Sequence, residues 1–216
     1  MQKRYYLAYG SNLNIGQMKF RCPSARIIGT AKIDGYRLLF KGSKTGSYLT
    51  IEKAEGRSVP VGVWEVSETD ELALDRYEGF PTFYYKKELL LPIEGIRSHQ
   101  IRNRRCFVYI MHEDRPLGLP SGYYMGVCAD GYYDFGFDRS ELLRAYYESK
   151  EEIHENETHV CPRCGKVYTG HPALSRKDNE TLICPDCGTR EALESIGVTD
   201  EEQDRILETI HRCYCR

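Results

Sequence analysis

Tyr9, Gly10, Ser11 and Asn12 stand directly behind the apolar stretch Tyr5-Tyr6-Leu7-Ala8. A strand ending at Gly10 can turn sharply, and Ser11 and Asn12 can open a helix, so several backbone N–H groups converge on one point. That point suits an anion such as a carboxylate or phosphate, and a helix over 14–20 adds the positive end of its dipole. An ordinary capped turn is the plainer alternative. Glu78 is the second chemical group, set in Asp75-Arg76-Tyr77-Glu78-Gly79-Phe80 and followed by Tyr84-Tyr85. Leu72 and Leu74 among acids predict a helix over 69–77, with Gly79 as its stop. A carboxylate at that helix end, amid Tyr77, Phe80 and Tyr84, meets the negative helix terminus and partial burial. Both raise its pKa toward the range of acid/base catalysis at neutral pH. A solvated glutamate in an acidic helix is the competing reading.

Cys161-Pro162-Arg163-Cys164 and Cys184-Pro185-Asp186-Cys187, nineteen residues apart, form the most specific local pattern. Two such pairs can close a tetrahedral zinc site on Cys161, Cys164, Cys184 and Cys187, with Gly165 and Gly188 freeing the backbone around the sulfurs. Four cysteine ligands leave no position for water, so the zinc is expected to be structural, a staple for a short segment. Disulfides or idle thiols are the alternatives. The nine cysteines are odd in number and no secretory leader is read at the N-terminus, which favours zinc in a reducing cytoplasm. Cys213, Cys215, His159 and His171 are read as bystanders.

Other chemistries fit less well. A serine nucleophile elbow needs G-x-S-x-G, and Ser11 lacks the second glycine. Cys22, Cys106 or Cys128 with His112 could form a thiol site, but a lone cysteine is more often a small buried hydrophobe. His154 and His159 are five residues apart, off the single helical face that a zinc protease motif needs.

The first two motifs together resemble the gamma-glutamylcyclotransferase family. The matching pieces are YLAYGSNL at 6–13, CPSARIIGTAKIDGYRLLF at 22–40, VGVWEVS at 61–67, LDRYEGF at 74–80 and PSGYYMGVCADG at 120–131. The resemblance covers most of the first 150 residues and implies an α+β fold, a compact mixed β-barrel with a few helices. It also implies that Tyr9, Gly10, Ser11 and Asn12 bind the substrate's α-carboxylate or polarise its carbonyl through backbone amides, with Leu7 and Ala8 in the adjoining strand. Glu78 takes the acid/base role, and Tyr85, Tyr109 and Tyr124 line the pocket, the last through the PSxxY pattern headed by Ser121. With 17 tyrosines in the chain, these three could equally be packing residues.

The implied reaction cyclises a γ-glutamyl amide or peptide to 5-oxoproline and releases an amine or amino acid. It needs a base for the substrate's ammonium group, orientation and oxyanion stabilisation, but no catalytic cofactor. Two rival readings are a catalytically silent small-ligand binder and a ribbon-led module that contacts protein or nucleic acid.

These groups must be held by two bodies, a domain over 1–150 and a zinc ribbon with a C-terminal helix over 159–216, joined by an acidic linker over 151–158. Strands are predicted over 36–40 after an Asp34-Gly35 turn, and over 59–66, 84–91 and 101–111. A helix is predicted over 138–153, with Leu142, Leu143, Tyr146 and Tyr147 near one face. Thr199-Asp200-Glu201-Glu202 opens a last helix carrying Ile206, Leu207 and Ile210, which packs on the body or on a second subunit. The net charge is −2, with 41% apolar residues. No apolar run reaches the eighteen or so residues that span a membrane. The final 66 residues hold eight Lys and Arg against fourteen Asp and Glu, a net of −6 that opposes a general grip on nucleic acid. Arg163, Lys166, Arg176 and Lys177 could still form a local basic patch.

Overall fold

The computed structural model describes residues 3–43 and 46–214. The chain divides into two compact units, Met1–Lys150 and Glu151–Arg216. The first opens with β1 (Arg4–Ala8), followed by a 3-10 turn (Ser11–Leu13) and α1 (Ile15–Arg21). Two long strands come next, β2 (Arg26–Ser43) and β3 (Gly46–Val66), then α2 (Glu68–Glu78), β4 (Tyr84–Gly95) and β5 (Ile101–Met111). The strands close into a barrel in the order β1-β3-β2-β4-β5. Its seam is the parallel pairing of β1 with β5, Tyr6 opposite Phe107 and Leu7 opposite Val108.

Burial explains why β1 is a continuous apolar run. Tyr6, Leu7 and Ala8 are all buried, so both faces are covered and the strand shows no alternation. Removing a side chain such as Leu7 from water contributes about 1.5–3 kcal/mol. The predicted strands are present; the one over 101–111 has its expected bounds, and the other three are longer than expected. Asp34-Gly35 is a bulge within β2 rather than a turn: the register with β3 shifts between Asp34 and Tyr36, and Gly35 has φ +75. A bulge bends a strand without ending it, which lets one hairpin wrap the barrel.

Helix α3 (Gly122–Asp134), with Ser121 as its cap, is followed by α4 (Ser140–Asn156). In α4, Leu142 and Ala145 are buried whereas Leu143 and Tyr147 are exposed, so the apolar face is narrower than predicted. Residues 151–156, expected as a linker, continue this helix. Glu151, Glu152, Ile153, His154 and Glu155 include no glycine or proline to stop it.

The second unit holds two small sheets, β6 (Thr158–Val160) with β7 (Val167–Thr169) and β8 (Ala173–Leu174) with β9 (Leu182–Ile183). They are followed by α5 (Pro185–Glu194) and α6 (Asp200–Tyr214), on which Leu207 is buried. Cys215 and the side chain of Cys213 lie outside the described residues. Among the described residues no helix is long and apolar enough to cross a membrane.

Candidate active site

The 3-10 turn after β1 is held from three sides. Leu13 N donates to Gly10 O at 2.9 Å and Asn14 N to Ser11 O at 3.1 Å. Asn14 caps α1 by accepting from Gln17 N at 2.9 Å, and Asp134 of α3 accepts from Ile15 N at 3.0 Å. Gly131 of α3 lies so close that a Cβ there would stand 2.6 Å from Leu13 Cβ and 2.7 Å from Asn14 N. Only glycine permits that approach.

Glu78 is positioned by α2, which follows β3, the strand paired with β1. Ser67 and Asp70 form a capping box that starts α2, each satisfying the other's backbone N–H, an arrangement worth about 1 kcal/mol. Gly79, at φ +65, ends the helix in the left-handed conformation immediately after Glu78. Buried Leu74 fixes which face of α2 meets the barrel.

The two motifs meet side chain to side chain. Asn12 Nδ2 donates to Glu78 Oε1 at 2.7 Å and to Tyr6 Oη at 3.0 Å, and Asn12 Oδ1 accepts from Arg21 Nη1 at 2.6 Å. Around Glu78 lies a cavity of about 30 Å³ lined by Tyr6, Tyr9, Gly10, Ser11, Asn12, Leu49, Tyr84, Tyr109 and Tyr124. A wider cleft of about 290 Å³ shares Ser11, Glu78, Tyr84 and Tyr124 and adds Tyr48, Tyr77, Gly79 and Phe83. Burial pushes the Glu78 carboxyl up to about 7, against the opposing pull of the Arg21 charge and the Asn12 hydrogen bond. Such a group exchanges protons at neutral pH.

The phenols are fixed rather than loose. Tyr9 Oη donates to Tyr109 O at 2.7 Å, Tyr84 Oη to Leu49 O at 3.0 Å, and Tyr109 Oη to Asp75 Oδ1 at 2.5 Å. Tyr124 Oη accepts from Leu49 N at 3.2 Å. Burial raises the pKa of Tyr6, Tyr9, Tyr84, Tyr109 and Tyr124, so all five remain neutral donors and acceptors.

The family model of gamma-glutamyl cyclotransferase, AIG2-like proteins matches residues 6–126, a span that contains the turn, Glu78 and Tyr124. The chain belongs to that family. A gamma-glutamylcyclotransferase of Bos taurus is 33% identical over 102 residues, 44% of this chain and 52% of the bovine protein. The Homo sapiens gamma-glutamylcyclotransferase is 27% identical over 161 residues, 70% of this chain and 79% of the human protein. The match thus spans about half the length of the bovine relative. A solved structure of a gamma-glutamyl cyclotransferase has a TM-score of 0.54 at 26% identity, covering 69% of this chain and 87% of that one. The expected α+β barrel of this family is the fold observed.

Within the gamma-glutamyl cyclotransferase barrel, Tyr9, Gly10, Ser11, Asn12, Glu78, Tyr109 and Tyr124 come together at one cavity. Leu7 and Ala8 do not line it; they are fully buried in β1 and support the turn from behind. Tyr85 does not line it either. Successive strand residues face opposite ways, so Tyr84 turns to the cavity while Tyr85 Oη donates to Glu113 Oε1 at 2.7 Å. Tyr6, Leu49 and Arg21 are site residues that the sequence reading missed. Tyr6 lies inside a quoted motif, whereas Leu49 and Arg21 carry no local signal.

The second unit brings Cys161, Cys164, Cys184 and Cys187 together, their sulfurs all within 4.8 Å of one another. A metal ion could sit among them. Cys164 and Cys184 Sγ are 3.8 Å apart, the edge of a tetrahedron with zinc–sulfur bonds of about 2.3 Å. Backbone N–H groups of Cys184 and Cys187 point at the sulfurs of Cys161 and Cys184, at 3.3 and 3.4 Å. Gly165 has φ +70, as a knuckle turn requires. Gly188 differs from expectation: it lies inside α5, where a Cβ would stand 2.5 Å from Ala173 Cβ, so it serves close packing and not turning. His159 packs on Tyr168 and His171 beside His154, apart from the four sulfurs.

Proposed function

We propose that this protein cyclises a γ-glutamyl amide or peptide to 5-oxoproline with release of the amine or amino acid. The observation that carries the reading is the contact of Asn12 with Glu78 in a tyrosine-walled cavity, with Glu78 titrating near neutrality. The Glu78 carboxylate takes one proton from the substrate's α-ammonium group. The freed nitrogen attacks the γ-carbonyl carbon, forming the new C–N bond and a tetrahedral oxyanion. The original amide C–N bond then breaks as Glu78 returns its proton to the departing nitrogen. The attacking nitrogen gives up a second proton and the departing amine takes one up. The products are therefore 5-oxoprolinate and an ammonium ion, with nothing oxidised or reduced.

Backbone amides of Gly10, Ser11 and Asn12 are assigned to the α-carboxylate or the oxyanion, and Tyr109 and Tyr124 to the cavity wall. Holding the flexible glutamyl chain in its ring-closing shape supplies an effective-molarity gain of several kcal/mol. The 290 Å³ cleft is assigned to the leaving group. This makes the protein a lyase of the cyclotransferase type.

The four cysteines are assigned a structural zinc, which would cross-link the ribbon; thiolate ligands suit a reducing cytoplasm. Nucleic acid is not the expected partner, since Arg163 is paired with Glu191 and Lys177 lies 3.6 Å from Glu194. Exposed Val160 and Val167, opposite each other in register, suit the ribbon to a protein contact instead.

The test is mass-spectrometric detection of 5-oxoproline from a panel of γ-glutamyl peptides and amines. Product with at least one substrate, lost in Glu78→Gln, supports the reading. Silence across the panel, with tight binding of one of its members, transfers the assignment to a catalytically silent binder.

A further inference from the structure

Arg21 closes α1 at the rim of the site, and its guanidinium is held by three neighbours. Nη1 donates to Asn12 Oδ1 at 2.6 Å, Nη2 donates to Tyr77 Oη at 2.7 Å, and Gln17 Oε1 also accepts from Nη2. The guanidinium carbon lies 3.7 Å from the centre of the Tyr77 ring, a stacked cation–π contact. Tyr77 adjoins Glu78 in the chain and walls the outer cleft.

A side-chain amide has two unlike ends, an oxygen that only accepts and a nitrogen that only donates. With its oxygen bound to Arg21, Asn12 must turn its nitrogen the other way, onto Glu78 Oε1 and Tyr6 Oη. Without that lock the amide could flip and set a carbonyl oxygen against the carboxylate, a repulsive contact in a buried site. We propose that Arg21 is a positioning residue that locks the Asn12 amide and, through it, holds the Glu78 carboxylate in its working orientation. The proposal rests on the reading of Glu78 as the acid/base.

The electrostatics agree with this geometry. The titratable groups facing Glu78 are Tyr6 of β1, Tyr9, Tyr84 of β4, Tyr109 of β5 and Tyr124 of α3, whose phenols are kept neutral by burial, with Tyr48 of β3 and Tyr77 of α2 in the outer cleft. Arg21 is the full charge that favours the carboxylate form of Glu78.

Arg21→Met keeps the apolar stem and removes both charge and fork, whereas Arg21→Lys keeps the charge without the fork. Glu78 is titrated by carboxyl-carbon NMR, with Glu78→Gln identifying its signal, and kcat/KM for 5-oxoproline formation is followed against pH in parallel. In Arg21→Met the Glu78 midpoint is expected to move above its wild-type position. Turnover at pH 7 falls by on the order of tenfold or more, with KM changing less, and recovers only in part as the pH is raised, because ionising Glu78 does not restore the fork. Arg21→Lys is expected to bring the midpoint back toward wild type but to restore turnover only in part, because the fork is missing. An unchanged midpoint and an unchanged pH profile in Arg21→Met would overturn the proposal. The titration needs no turnover, so a wild-type protein silent toward γ-glutamyl compounds would count against the reaction alone.

Discussion

Asn12 Nδ2 stands 2.7 Å from Glu78 Oε1, although 66 residues of chain separate the two. One comes from a turn at the end of the shortest barrel strand and the other from the last residue of a helix, so neither element makes a site by itself. Barrel closure sets their distance. Changes that loosen the barrel or the turn should therefore reach the chemistry without touching either residue.

Gly131→Ala is the sharpest such change. The added methyl would meet Leu13 and Asn14 at distances that no ordinary contact allows, so a loss of roughly 1–3 kcal/mol is expected together with reduced turnover. Gly126→Ala, in the same helix with nothing within 4 Å, should stabilise by about 0.5–1 kcal/mol. Urea denaturation of the pair measures the contrast; equal effects would mean that α3 does not press on the turn.

Tyr109 links the cavity to a charged network. Its hydroxyl is bonded to Asp75, which lies 2.7 Å from Lys86, which in turn lies 2.6 Å from Glu71. Tyr109→Phe removes a hydrogen bond to a charged group and is expected to cost about 1.5–3 kcal/mol in thermal or chemical unfolding. Asp75→Asn keeps an acceptor for the phenol and should cost less. The reverse order would show that the ion pairs, and not the phenol, dominate this network.

Glu78 gives stability a pH dependence of known sign. Its folded pKa is raised from 4.5 to about 7, so its favourable contribution is complete below pH 4.5 and is lost as pH rises toward 7, where the charge must be accommodated in a half-buried site. Glu78→Gln carries no charge to accommodate. The variant should exceed wild type in stability above pH 7, by about 2 kcal/mol once partial exposure is discounted, and the gap should close by pH 4.5. A variant less stable than wild type at pH 8 would contradict a raised pKa.

Much of this was legible in the residues. Gly10, Ser11, Asn12 and the run Asp75–Gly79 announce a turn and a helix end through local chemistry, and both lie where that chemistry predicts. What escaped depends on long-range pairing. Nothing local distinguishes Tyr84 from Tyr85, because only the register with β5 decides which of two neighbours faces inward. Gly35 reads as a turn from its composition, but the long β2–β3 hairpin converts it to a bulge. Leu49 and Arg21 join the site by barrel closure and a helix end, which no short pattern encodes.

The ribbon makes a compositional prediction. Purified protein should contain one zinc per chain by elemental analysis, and Cys187→Ser should lose the metal along with amide protection over 161–194. These sulfurs sit within 4.8 Å of one another, and thiolates that close cost much free energy without a cation between them. Metal-free protein with full protection there would remove zinc from the account.

The most direct test of the central claim is the pH profile of kcat/KM for 5-oxoproline formation in wild type and Glu78→Gln. The base must be ionised to take a proton from the ammonium group, so wild-type kcat/KM should rise with pH through a midpoint near 7. Glu78→Gln should lose on the order of 100- to 10,000-fold and lack that limb. A variant with wild-type turnover, or one that keeps the same rising limb, would contradict the assignment of Glu78 as the acid/base.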